Sequence, residues 1–254
     1  MADGAHRDDG PQASPISRQR AILEIAIAYV VILAVIWTPR PLQRFLWLVA
    51  VATVATMLCL SFPSLNSMGL RTKNFLRSLW VVGAALAMAA VAVSVASAMH
   101  TLRLPDPPPG GLAPHDGLPP MLILFIQTYW GYALWTFVQQ FLMQCFFLPR
   151  MLRVLPSPTS AAFATAALFA LAHLPNPILA PVTLLWGFAA CLIFLRYRNL
   201  YPLGMAHAIF GIALAITIPG PVLHNMRVGL GYLRYGHTHS TIHSPQPQGP
   251  DRIH

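Results

Sequence analysis

Six side chains able to bond or move protons stand inside long apolar runs in the second half of this 254-residue chain: Gln127, Gln139, Gln140, Gln144, His173 and His207. A polar group in hydrocarbon is costly unless paired, so each is a candidate for function or for bonding helices together. Gln140 and Gln144 are four residues apart and share one helix face. An imidazole can take or give a proton near neutral pH, whereas an amide only donates and accepts hydrogen bonds. The acidic residues are seven, Asp3, Asp8, Asp9, Glu24, Asp106, Asp116 and Asp251, and none lies between Asp116 and Asp251. That half of the chain therefore has no carboxylate to serve as base or ligand. Two histidines without a Cys or carboxylate at ligand spacing fall short of the three or four ligands of a zinc site, so neither metal nor cofactor is expected. Cys59, Cys145 and Cys191 lie in apolar runs without redox or metal spacing and read as small buried hydrophobes.

The elements that must position these groups follow from composition. The chain is 56% hydrophobic and 9% charged, with mean hydropathy +0.59, against about 25% charged residues in a soluble domain. An ordinary soluble enzyme is excluded, and the expected fold is all-α, a polytopic transmembrane helical bundle. A bilayer core needs roughly 20 apolar residues per helix. Ala21–Trp37, Phe45–Phe62, Leu79–Met99, Ile178–Leu195 and Tyr201–Ile218 qualify. Met121–Phe147, long and glutamine-bearing, and the shorter Ser160–His173 bring the count to about seven spans, the fourth of them broken or strongly tilted. A tilted or late-starting fifth span, Ser160–His173, brings Gln139, Gln140, His173 and His207 into one polar cluster near mid-membrane. The first apolar run has no small-residue cleavage site before or within it, so it reads as a retained span.

The net charge of +9 comes from fifteen arginines and Lys73, scattered in ones, twos and threes between apolar runs. That distribution fits membrane topology and not a nucleic-acid footprint. With the N-terminus inside, ten basic residues are cytoplasmic (Arg7, Arg18, Arg20, Arg71, Lys73, Arg77, Arg150, Arg153, Arg196, Arg198) and six are outside. The expectation is an integral protein of the lipid bilayer, of a bacterial plasma membrane, with a cytoplasmic N-terminus. Residues 1–20 read as a disordered cytoplasmic tail, 21–103 as a three-span block, 104–120 as a proline-rich hinge loop, 121–219 as a four-span block, 220–235 as an interfacial segment and 236–254 as a disordered His-rich tail. All the intramembrane glutamines and histidines fall in the four-span block, so chemistry is assigned there. Glu24, four residues after Arg20 near a helix start, reads as structural. Tyr129, Trp130 and Trp135 either line an apolar pocket or face lipid.

The four-span block resembles the CPBP family of integral-membrane proteins, which includes CAAX prenyl endopeptidases, bacteriocin-immunity proteins and relatives of lysostaphin-resistance protein A. The resemblance rests on three motifs in order: a glutamate pair followed by arginine, then FxxxH, then HxxxN. FALAH, from Phe169 to His173, matches the second in full. MAHAIFG supplies His207 of the third, with Gly211 at the asparagine position. QQFLMQ falls on the first, with Gln139 and Gln140 for the glutamates and Gln144 for the arginine. The resemblance implies that one glutamate would activate a water while the histidines stabilise the oxyanion. A glutamine cannot take that proton. Two acids and one base have become three amides together, which exchanges an ion cluster for a neutral network. The implied protein is a pseudoenzyme that keeps the shape of the polar site and binds a lipid-anchored or transmembrane peptide or partner. The alternatives are an active divergent intramembrane endopeptidase using His173 and His207, or an enzyme acting on an apolar isoprenoid such as a carotenoid.

Overall fold

The computed structural model describes residues 17–61, 68–105 and 120–242, and every regular element among them is helical. The N-terminal tail before Ser17, residues 106–119 of the proline-rich loop and residues 243–254 lie outside the described residues.

Helix α1 (Arg18–Trp37) is capped by the Ser17 side chain, which accepts from the Arg20 N–H. α2 is Leu42–Ser61, and a short α3 (Phe75–Ser78) leads into α4 (Trp80–Ala98). α5 (Pro120–Phe141) passes into a π-helical segment, Leu142–Phe147, and on into α6 (Leu148–Val154). The long fourth stretch is thus continuous, with its irregularity confined to those six residues. α7 (Pro158–Leu171) opens with a reciprocal Ser157–Ser160 capping box and Pro158 in the first turn. α8 (Leu179–Tyr197) ends on Arg198 in the left-handed conformation, φ 51°. α9 (Tyr201–Thr217), α10 (Gly220–Leu223) and a short 3-10 turn precede α11 (Gly229–Ile242), which extends the helix into residues that composition assigned to the tail.

Each of the seven apolar stretches has its helix. Four helical stretches, Arg18–Trp37, Leu42–Ser61, Phe75–Ala98 and Leu179–Tyr197, are long and apolar enough to cross a membrane; α7 and α9 are shorter apolar helices. Leu48, Val51, Met88 and Val91 are exposed on α2 and α4, as expected where the neighbour is lipid.

Lipid removes the hydrophobic drive for helix association, so close packing of small residues and internal hydrogen bonds must hold the bundle. α7 lies on α8 through Ala161, Ala162, Ala166 and Ala190, all fully buried. A Cβ at Gly187 would stand 3.3 Å from Ala166 and 3.2 Å from the Met143 sulfur. Two buried asparagines tie the helix ends. Asn176 Oδ1 accepts from the N–H groups of Ile178 and Leu179 at the start of α8, and its Nδ2 donates to the carbonyls of Leu223 and Arg227. At the other end Asn199 donates to the carbonyls of Arg71 and Lys73 and accepts from Tyr201 N–H.

The two blocks read from the sequence are packed together, α4 along α9 and α1 along α6. The second contact carries an ion clasp. Glu24 receives Arg20 Nε on Oε1 (2.7 Å), and Arg150 Nε and Nη2 on Oε2 (2.7 and 2.6 Å). Arg150 is 3% exposed, donates also to the Phe146 carbonyl (3.0 Å) and lies 3.8 Å from the centroid of the Phe146 ring. Glu24 is structural, as expected, but its main partner comes from 126 residues away.

Candidate functional site

The π segment sets the site's geometry. Five consecutive residues, Met143 to Phe147, are buried, which a regular α-helix on one side of a bundle does not achieve. A π turn widens the repeat by about one residue, so faces that would separate are carried inward together; such turns recur at functional sites. Gln144 sits in this segment, fully buried, and both its amide nitrogen and its oxygen lack a protein partner among the described residues.

The three motif segments meet around Phe169. Its ring contacts His173 (centroids 4.7 Å apart) and His207 (5.9 Å). Trp186 of α8 lies 5.9 Å from His207 on another side. Gln140 on α5 is fully buried and its Nε2 donates to the Leu203 carbonyl (3.4 Å), one turn before His207 on α9. The polar groups expected to cluster lie on two sides of Phe169, whose ring touches both histidines. Gln140 and His207 belong to the α5–α9 packing, while Gln139, Phe169 and His173 line a cavity beside it.

That cavity has a volume of about 360 Å³. Its walls are α1 (Tyr29, Ile32, Ile36), α2 (Trp47, Val54, Leu58), the α5–π stretch and the end of α7. Gln139 and His173 are its main polar groups beside a largely aliphatic and aromatic lining. The polar groups that the sequence offers for chemistry lie in the second block alone, but Tyr29, Ile32, Ile36, Trp47, Val54 and Leu58 of this wall come from the first. The reason is physical: a purely apolar helix carries no sequence signal that separates a lipid-facing side from a cavity-facing one. Trp135 lines the cavity and meets Trp47 edge to face at 5.0 Å. Trp130 is exposed, and Tyr129 borders a smaller cavity beside Arg103. Gln127 is exposed on α5 and takes no part in the site.

His173 is held by its own helix. Its Nδ1 lies 2.7 Å from the Phe169 carbonyl, and a carbonyl only accepts, so Nδ1 carries the hydrogen. In the neutral ring the lone pair is then on Nε2. The helix-end role and a cavity role are compatible in this residue, since one nitrogen serves each.

Four residues carry buried polar atoms without a protein partner: Gln140 Oε1, both amide atoms of Gln144, Trp186 Nε1 and His207 Nδ1. An unmade hydrogen bond on a buried group costs about 1–3 kcal/mol. Most buried polar groups in proteins are bonded, so these four among the described residues, on the α5–π stretch, α8 and α9, stand out. Among the described residues no three of His, Cys, Asp and Glu converge, so those residues build no three-ligand metal centre.

Gly211, at the asparagine position of the third motif, is filled from across the helix pair. The Tyr132 hydroxyl of α5 occupies the place that a Cβ on residue 211 would take, and Phe137 does the same at Gly204. Nothing in the sequence pairs Tyr132 with Gly211, because the contact depends on the antiparallel register of α5 and α9. Gly211→Asn should therefore lower the thermal midpoint in detergent by several degrees, and adding Tyr132→Ala should recover most of the loss. An unchanged midpoint in the single variant would show that α5 and α9 part freely at this point. Overpacking of this kind typically costs about 1–3 kcal/mol.

Residues 121–213, from the start of α5 into α9, match the family model of the type II CAAX prenyl endopeptidase Rce1-like proteins. No curated protein and no solved structure gives a match. The match contains all three motif segments, and with the apolar helices it makes the chain a CAAX-protease-like integral-membrane protein of the lipid bilayer.

Proposed function

We propose that this chain, Rce1-like over residues 121–213, is a non-hydrolytic binder that takes the apolar chain of a lipid-anchored peptide, or a segment of a transmembrane partner, into the cavity between α1, α2, α5 and α7. The observation that carries the reading is the pairing in that cavity of an apolar lining with Gln139, where an active relative of the resembled family would hold a glutamate. The amide keeps the hydrogen-bonding shape and cannot remove a proton from water. The orientation that goes with this reading has the N-terminus in the cytoplasm of a bacterial cell and the protein in its plasma membrane. The arginine-bearing helix ends support it, since Arg20 and Arg150 share one ion clasp, and Asn199 joins the turn after Tyr197 to Arg71 and Lys73.

Size separates the alternatives. At the ~30 Å³ that a water-sized group occupies in a liquid, 360 Å³ takes roughly a dozen heavy atoms. One linear chain of about that length fits. A carotenoid is several times larger, and the one carboxylate among the described residues, Glu24, is held by Arg20 and Arg150 and does not line the cavity. The surviving second reading is hydrolysis with His173 as base, favoured by the free lone pair on its Nε2.

Binding is tested with the protein in phosphatidylcholine nanodiscs and a farnesylated peptide beside its unmodified twin. The farnesylated peptide should bind and remain intact. Val54→Trp, which fills the cavity, should weaken binding at least about tenfold, by lost burial of the chain. Leu185→Trp, on an exposed face, should leave it unchanged. Equal binding of both peptides would sink the reading.

A further inference from the structure

The two ends of the cavity differ chemically. One end is bounded by Leu58, Leu142 and Phe147, all apolar. The other is bounded by Ile36, Trp47, His173 and Val228, and three arginines, outside the lining itself, neighbour these in the chain. Arg40 follows Ile36 by four residues in the turn between α1 and α2. Arg44 precedes Trp47 by three and shares its helix face. Arg227 adjoins Val228 and lies over the Tyr235 ring at 5.3 Å.

These positions are fixed against the cavity wall. Gln43 Nε2 donates to the Val35 carbonyl (2.9 Å), which holds the start of α2 on the end of α1. Gly229, with φ 53°, packs its backbone on Ile36 and donates its N–H to the Leu174 carbonyl (2.8 Å), which holds the Arg227 segment at the same end. All three arginines are exposed, and none has an ion pair among the described residues. The one carboxylate among those residues is Glu24, and both of its oxygens are engaged by Arg20 and Arg150.

A polarised cavity selects its occupant. The apolar end takes a hydrocarbon tail, and the arginine rim takes negative charge, because guanidinium recognises carboxylate and phosphate and disfavours a cationic head. We propose that the occupant is a single-chain amphiphile of about a dozen carbons whose head is anionic, carboxylate or phosphate, seated at Arg40, Arg44 and Arg227. This rests on the reading that the cavity holds an apolar chain, and it adds which way round that chain lies and what it carries.

Trp47 and Trp135 line the rim half, so a bromine beside the head group quenches them on contact. The full chain in phosphatidylcholine nanodiscs is titrated with α-bromolaurate, with the corresponding bromoalkyl phosphate and with the neutral bromoalcohol. The share of the quenching that is lost in Trp47→Phe reports the site. At least one anion should bind about tenfold more tightly than the alcohol, and the two anionic arms tell carboxylate from phosphate. The preference should vanish in Arg44→Gln/Arg227→Gln and at about 0.5 M salt, while the affinity for the alcohol stays. Arg77→Gln/Arg153→Gln, which removes equal charge elsewhere, should leave the preference intact. Equal affinity for alcohol and anions overturns the inference while the cavity reading stands. Absence of Trp47-dependent quenching by any arm overturns both.

Discussion

Glu24→Gln is expected to destabilise the folded protein by about 3–5 kcal/mol, the range for breaking a buried ion pair from one side. The size follows from what is left behind. Arg150 is buried at 3% exposure, and no other carboxylate is present among the described residues to take over its charge. Its remaining partners, the Phe146 carbonyl, the Ser61 hydroxyl and the Phe146 ring, are neutral. Arg20 contributes little, since its side chain is 43% exposed and exposed pairs are worth at most about 1 kcal/mol. Arg20→Gln should accordingly be close to silent. Glu24→Leu/Arg150→Met should recover most of the loss, because well-packed apolar replacements of a buried pair are often neutral. The measurement is the unfolding equilibrium in mixed micelles, or the thermal midpoint where unfolding is irreversible. A Glu24→Gln loss below about 1 kcal/mol would mean that water reaches Arg150 and that the clasp does not hold α1 to α6.

The clasp also shows where sequence reading stopped. The apolar helices were legible, because about 20 apolar residues between arginines leave the chain no other way to satisfy its backbone in lipid, whereas the end of α11, in the polar tail, was not. The nearness of the second and third motifs was legible too, since their histidines are polar where polarity is expensive, and the Phe169 ring meets both His173 and His207. Partners across the bundle were not legible. Glu24 with Arg150, Tyr132 with Gly211, and Trp47 with Trp135 depend on which helix faces which, and in an all-apolar span no amphipathic stripe declares a facing side. The π segment left no mark either: it moves Gln144 and its neighbours inward without changing their spacing. Gln139 and Gln140 precede it in α5, where the about 100° between successive residues of a helix turns one toward the cavity and the other toward α9.

That separation decides the last experiment. A change to glutamate at both positions treats them alike, but only Gln139 lines the cavity, while Gln140 is fully buried and bonded to the Leu203 carbonyl. Gln139→Glu places a proton acceptor in the cavity beside His173, whose Nδ1–H is already held by the Phe169 carbonyl. A positioned general base is worth roughly 10²- to 10⁴-fold in rate. Cleavage of a farnesylated peptide by Gln139→Glu is therefore expected at least about 10²-fold above the unmodified protein, followed by mass spectrometry in nanodiscs, and His173→Ala in that background should remove it. Gln140→Glu should give no cleavage and a lowered thermal midpoint, because an unpaired carboxylate at a fully buried site is costly in either protonation state. Efficient cleavage by the unmodified chain would overturn the binder reading and leave the lone pair of His173 Nε2 as the base. No gain in Gln139→Glu, with binding retained, would place the loss of hydrolysis beyond that one amide. Gly211 would then be the next position to restore, in the Tyr132→Ala background that makes room for it.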